Sequence, residues 1–180
     1  MIIKRNFTMV EMGVLLVIAL TLGVMILYAM NMAKESARKI SCVSNMKNIG
    51  LSMRMYSNVY NNEIDENGKA NPFGDSYFPN KNGRAGLQML ADEGFLECTH
   101  VYSCPSTKNR VYTIKDISSN ATYAYAGGIT ESTSVASALA SDRALNHKKF
   151  GNILFVDGHV KGFAGISWSS SRGNSILTDF

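Results

Sequence analysis

Three side chains near the C-terminus, His147, Asp157 and His159, come closest to a reactive set in this chain. Two imidazoles and a carboxylate are one way to hold zinc. His159 follows Asp157-Gly158 directly, but no spacing fixes His147 beside it. The competing reading has Asp157 building a turn and His147 bonding to backbone. On that reading no metal and no cofactor is assigned. Calcium takes about six to eight oxygen ligands, and Asp116, Glu131, Asp142 and Asp157 are too scattered to form one loop. Three cysteines, Cys42, Cys98 and Cys104, allow at most one intramolecular bridge and leave one thiol over. No nucleophile motif, P-loop or dinucleotide fingerprint occurs, and Gly127-Gly128 reads as the end of a strand. The chain is therefore read as a non-enzyme. Its net charge of +4 comes without any Lys/Arg-rich run, which argues against a nucleic-acid partner.

The strongest physical signal lies elsewhere. No charged residue occurs between Glu11 and Lys34, and the 22 residues from Met12 to Ala33 are mostly Leu, Val, Ile, Met and Ala. As a helix this run spans a hydrocarbon core of about 30 Å. Lys4 and Arg5 precede it, so the positive-inside tendency keeps the N-terminus cytoplasmic and sends the remainder across. The run continues into helix-like sequence without Pro, unlike a signal cleaved after its apolar core. Glu11 is the anomaly. A carboxylate within an apolar helix costs several kcal/mol unless it finds a partner. Alternatively it rests at the headgroup level, where the helix dipole also favours it.

The string Lys4-Arg5-Asn6-Phe7-Thr8-Met9-Val10-Glu11 resembles the class III signal of type IV prepilins. In that family a basic leader is cut just before a Phe, and Glu is the fifth mature residue. Glu11 is fifth counting from Phe7. The resemblance implies cleavage between Asn6 and Phe7 by a prepilin peptidase, N-methylation of Phe7, and assembly through Glu11. Two positions depart from the pattern. Asn6 stands where Gly or Ala is usual, and Tyr28 where many relatives carry a kinking Pro. At the other end, Asn146-His147, nine intervening residues and Asp157-Gly158, with Gly151-Asn152-Ile153-Leu154-Phe155 leading to the turn, match a motif of the same pilin-like group. Cys104-Pro105-Ser106 resembles another of its segments.

These readings define the expected organisation. Residues 1–6 are a leader, 7–33 a transmembrane helix and 34–180 a periplasmic or extracellular head that includes the rest of the helix. The fold class is α+β: a long N-terminal helix packed on a small antiparallel sheet. Cys42, Met46, Ile49, Met53, Tyr56 and Tyr60 recur at spacings of 4, 3, 4, 3 and 4, one stripe of a helix running from Phe7 to about Val59. At 1.5 Å per residue such a helix is about 80 Å long. A loop is expected from Asn61 to about Gly83, then a short helix over Gly86–Gly94 and a strand over Tyr123–Ala126. A hairpin is expected over Ile153–Phe163, with Asp157-Gly158 as a type I′ turn. Trp168, Ile176 and Leu177 are candidates to tuck against the head. For the cysteines, Cys42 on the stripe and Cys104 in the Cys-Pro-Ser corner form the expected disulfide, with the local pair Cys98–Cys104 as the alternative. Outside the cytoplasm either would persist.

The function expected is a structural subunit of a type II secretion pseudopilus or type IV pilus. It would sit single-pass in a bacterial inner membrane. Its partners would be its own copies or other pseudopilins, prepilin peptidase, an inner-membrane assembly platform and lipid. Two other readings stay open: an anchored surface binding module that forms no filament, and an anchored metallohydrolase using His147, Asp157 and His159.

Overall fold

The computed structural model describes residues 8–61, 78–130, 132–143, 146–147, 150–165 and 167–168. The leader with Asn6 and Phe7, most of the expected loop, Glu131, Ile176 and Leu177 lie outside the described residues. The chain separates into two units, Met1–Ala37 and Arg38–Phe180. The first helix, α1 (Met9–Asn61), contributes to both.

In the first unit α1 is apolar on every side. Val14, Leu16, Leu20, Val24, Met25 and Leu27 are all exposed, an arrangement that suits lipid rather than water. This helix is long and apolar enough to cross a membrane. Thr21 Oγ1 there donates to the Ile18 carbonyl at 2.9 Å and so needs no water.

The second unit is an α+β head. Residues 38–61 of α1 are amphipathic, and Cys42, Met46, Ile49 and Met53 have no accessible surface. Tyr56 is buried too, and Tyr60 is half-buried beside it and Phe95. The expected stripe is therefore the face that packs on the head. Helix α2 (Arg84–Asp92) adds Leu87, Leu90 and Ala91 to the same core. Residues 99–102 and 114–116 form single 3₁₀ turns, and α3 (Ile117–Asn120) is one short turn.

Four strands follow: β1 (Tyr123–Tyr125), β2 (Ala138–Asp142), β3 (Phe150–Phe155) and β4 (Val160–Ala164). They pair antiparallel in chain order, a meander. Gly50 sets how closely α1 lies on this sheet. A Cβ there would stand 2.9 Å from Leu154 Cδ1, so the Leu154 side chain would have to shift to admit any larger residue. Trp168 is buried, whereas β2 had no counterpart in the sequence reading.

The β3–β4 turn corrects the expected type I′ geometry. Gly158 N–H donates to the Phe155 carbonyl at 2.9 Å, and Phe155 N–H donates to the His159 carbonyl at 3.0 Å. Gly158 has φ 87°, while no described non-glycine residue has positive φ. Only one residue of the turn is left-handed, so Val156 and Asp157 form a type I turn and Gly158 the following bulge. Asp157 keeps negative φ because its carboxylate accepts the His159 N–H at 3.0 Å, a bond that stabilises the loop locally. Arg54 of α1 donates to the Val156 carbonyl at 3.2 Å and ties this turn to the helix.

Gly158→Val should lower head stability by about 1–2 kcal/mol, because a β-branched residue is strained at that φ. For a chain of this size that is a shift of about 2–8 °C in melting temperature. Thermal unfolding of the detergent-solubilised chain, followed by near-UV circular dichroism, reads it. An unchanged transition would mean that the turn is not built as described.

Candidate functional site

Two places carry polar side chains in unusual settings, one in each unit. At the start of α1, Thr8 and Glu11 form a reciprocal cap. Thr8 N–H donates to Glu11 Oε2 at 2.8 Å, Thr8 Oγ1–H donates to the same oxygen at 2.9 Å, and Glu11 N–H donates back to Thr8 Oγ1 at 3.3 Å. This is a capping box, with Glu at the third helical position. The carboxylate singled out from the sequence thus satisfies backbone donors that the helix leaves open. The signal was present in the Thr8-x-x-Glu11 spacing but was not read that way.

The second place is inside the head. Cys42 on α1, Cys104 in the Cys-Pro-Ser corner, Asp142 at the end of β2 and His147 just beyond it converge. One ligand atom from each lies within 4.8 Å of the others, and all four residues are buried. Cys42 Sγ and Cys104 Sγ are 2.8 Å apart, closer than the van der Waals contact of two sulfurs but longer than a disulfide bond. His147 Nε2 lies 3.3 Å from Cys104 Sγ and 3.8 Å from Asp142 Oδ2. The His147 ring stacks on Phe150. Cys98 is elsewhere, exposed and facing His100.

A shell of donors surrounds these four groups. Asn152 gives Asp142 Oδ2 both its backbone N–H and its side-chain amide, each at 2.9 Å. Asn146 adds a longer bond to Oδ1 and anchors its own amide on the Thr122 carbonyl. Cys104 Sγ accepts the Ser106 N–H, the first amide available after Pro105. Tyr123 bonds to Cys42 Sγ, and Asn45 donates to the Tyr123 oxygen. The electrostatics follow from this wiring. The hydrogen bond with Cys42, followed by those from His147 and Ser106, lowers the Cys104 thiol below its ordinary range. The same thiol–thiol bond and burial raise Cys42. Burial raises Asp142 to about 6, and the neighbouring Cys104 adds to that.

The set His147, Asp157 and His159 is not brought together. His147 lies against Phe150 at the start of β3 and His159 against Phe155 at its end. Five strand steps of about 3.3 Å put roughly 16 Å between them. Asp157 and His159 bond to each other on the exposed turn, where the His159 N–H holds the carboxyl below its usual range. Those three residues therefore form no common metal site. Asp142, which the sequence offered only as a scattered carboxylate, takes the place beside His147. Its one sequence hint was its nearness to Asn146-His147.

The comparisons bear on the first helix. A family model described as "Protein of unknown function (DUF1559)" matches residues 31–63, less than a fifth of the 180-residue chain. That segment holds Cys42 and the head-packing stripe, and the family is one of proteins with prepilin-type N-termini. No curated protein and no solved structure matches the chain. The helix-on-sheet arrangement is pilin-like, and the matched segment lies in its first helix.

The burial pattern predicts thiol reactivity. In the native chain a charged maleimide should modify Cys98 alone, and Cys42 and Cys104 should react only after denaturation. Mass mapping of the labelled peptides checks this. Rapid native labelling of Cys104 would show that the cluster is open to solvent.

Proposed function

We propose that this chain is a structural subunit of a pilin or pseudopilin filament, held in a bacterial inner membrane by the apolar part of α1. The observation that carries the reading is the change of character along one helix. The first part is exposed and apolar all round, and the later part buries a single stripe in a small α+β head. A soluble protein would not leave Val14 to Met32 uncovered. In this reading prepilin peptidase cuts between Asn6 and Phe7, an assembly platform feeds the chain into a filament, and lipid gives way to neighbouring copies. The head then faces the periplasm or the outside.

Glu11 has two duties in such a filament. It caps its own helix through Thr8, and it meets the N-terminal amine of Phe7 on the next subunit. The amine exists only after cleavage, so processing and pairing are linked. In a low-dielectric bundle the pair attracts strongly, although desolvation offsets much of the gain. Its value lies mainly in register, fixing how far one helix slides past the next.

Intact mass of the mature chain should correspond to a start at Phe7 plus one methyl group. A chain still beginning at Met1 in cells with an active peptidase would overturn the processing step.

The assembly role is tested with two variants at equal expression. Glu11→Gln keeps a side chain able to complete the cap but has no charge, whereas Glu11→Ala removes both. Both should remain in the membrane fraction, and both should lose filament yield at least tenfold. Normal yield from Glu11→Gln would reduce Glu11 to a helix cap. Normal yield from both would favour an anchored head that forms no filament.

A further inference from the structure

We infer that Cys42, Cys104, Asp142 and His147 form a structural zinc site that fastens α1 to the sheet. The four ligand atoms already lie within 4.8 Å of one another in the buried interior. They are of the types zinc selects, two sulfurs, an imidazole nitrogen and a carboxylate oxygen. All four ligands come from the chain, which is the closed arrangement of structural rather than catalytic zinc.

The surrounding shell argues for a cation. Donors from outside the cluster point at its three acidic ligands: Ser106 N–H to Cys104, Tyr123 to Cys42, and Asn146 and Asn152 to Asp142. Such donors orient and stabilise anionic ligands. Once deprotonated to bind a metal, two thiolates and a carboxylate packed this closely would repel each other, with His147 the basic group among the four. That negative charge is costly in the interior unless a cation offsets it. Zinc does so directly, with both thiols releasing their protons to solvent on binding. A disulfide would satisfy the two sulfurs but would leave the Asp142 carboxylate buried with only His147 and amides.

The geometry needs a small adjustment. With Zn–S bonds of about 2.3 Å in a tetrahedron, the two sulfurs stand about 3.8 Å apart. They are 2.8 Å apart here, so they must separate by about 1 Å, within the reach of side-chain rotation. The site would join three distant parts of the sequence: the head-packing stripe, the Cys-Pro-Ser corner and the end of β2 with the residues after it.

The test uses the full-length chain, purified in detergent with a reductant, exposed to zinc and then dialysed. Elemental analysis should give about one zinc per chain. Cys104→Ser and His147→Ala should lose most of it, and Cys98→Ser should keep it. Because the variants can fail to fold, the wild type is also loaded with cobalt(II). Thiolate-to-cobalt charge transfer and intense tetrahedral d–d bands are expected. Wild type without bound zinc under these conditions would overturn the site. So would zinc retained equally by folded Cys104→Ser and His147→Ala, a cobalt spectrum lacking thiolate bands, or a metal-free Cys42–Cys104 disulfide in chain purified without reductant.

Discussion

Met46, Ile49 and Met53 have no accessible surface, and the head is arranged around that fact. Each side chain buried this way contributes roughly 1.5–3 kcal/mol relative to exposure. The stripe fixes which side of α1 faces the sheet, and Gly50 fixes how near it comes to Leu154. Arg54, one residue beyond the stripe's Met53, then reaches the β3–β4 turn. Among the described residues, α2 adds one more apolar face and the remaining helical pieces are single turns.

This helix was also the most legible part of the sequence, for the same reason. A change from all-round apolar character to a period of 3 and 4 is a direct imprint of two solvents on one helix. The β3–β4 hairpin was legible from Ile153-Leu154-Phe155-Val156 and Asp157-Gly158, though its turn type was not. Type I′ and type I-plus-bulge turns share the Asp-Gly signature, and the choice depends on loop length and the Asp157 side chain. Strand β2 was invisible because Ala138-Leu139-Ala140-Ser141-Asp142 is buried throughout and so shows no alternation. Its small residues are also poor strand formers, accepted because Tyr125 lies opposite Ala140.

The buried cluster was half legible. Cys42 and Cys104 were matched because one lay on the stripe and the other in a rigid corner. Asp142 was missed because its role depends on β2, and β2 itself left no pattern. His147 was noticed but matched to Asp157 and His159 through proximity in sequence. Strand β3 then carries those two residues away, since an extended chain separates neighbours faster than any other structure. Ligand sets read from spacing are reliable on helices and tight turns. They fail wherever an unrecognised strand lies between the members.

A metal at this cluster would also change what head stability means. Ligand binding to the folded state stabilises it by RT ln(1 + [L]/Kd), about 2.7 kcal/mol at a hundredfold excess over Kd. Cys42 is close in sequence to the apolar part of α1, whereas Asp142 and His147 come late in the chain. Such a site would be complete only once the whole head has folded, because its ligands span more than a hundred residues. Coordination is then a late event that reports completion. An incompletely folded head would lack the site and the fastening between α1 and the sheet. If the chain is a filament subunit, as proposed, that asymmetry matters, because α1 would be the element presented to neighbouring copies and the head what the finished fibre would display.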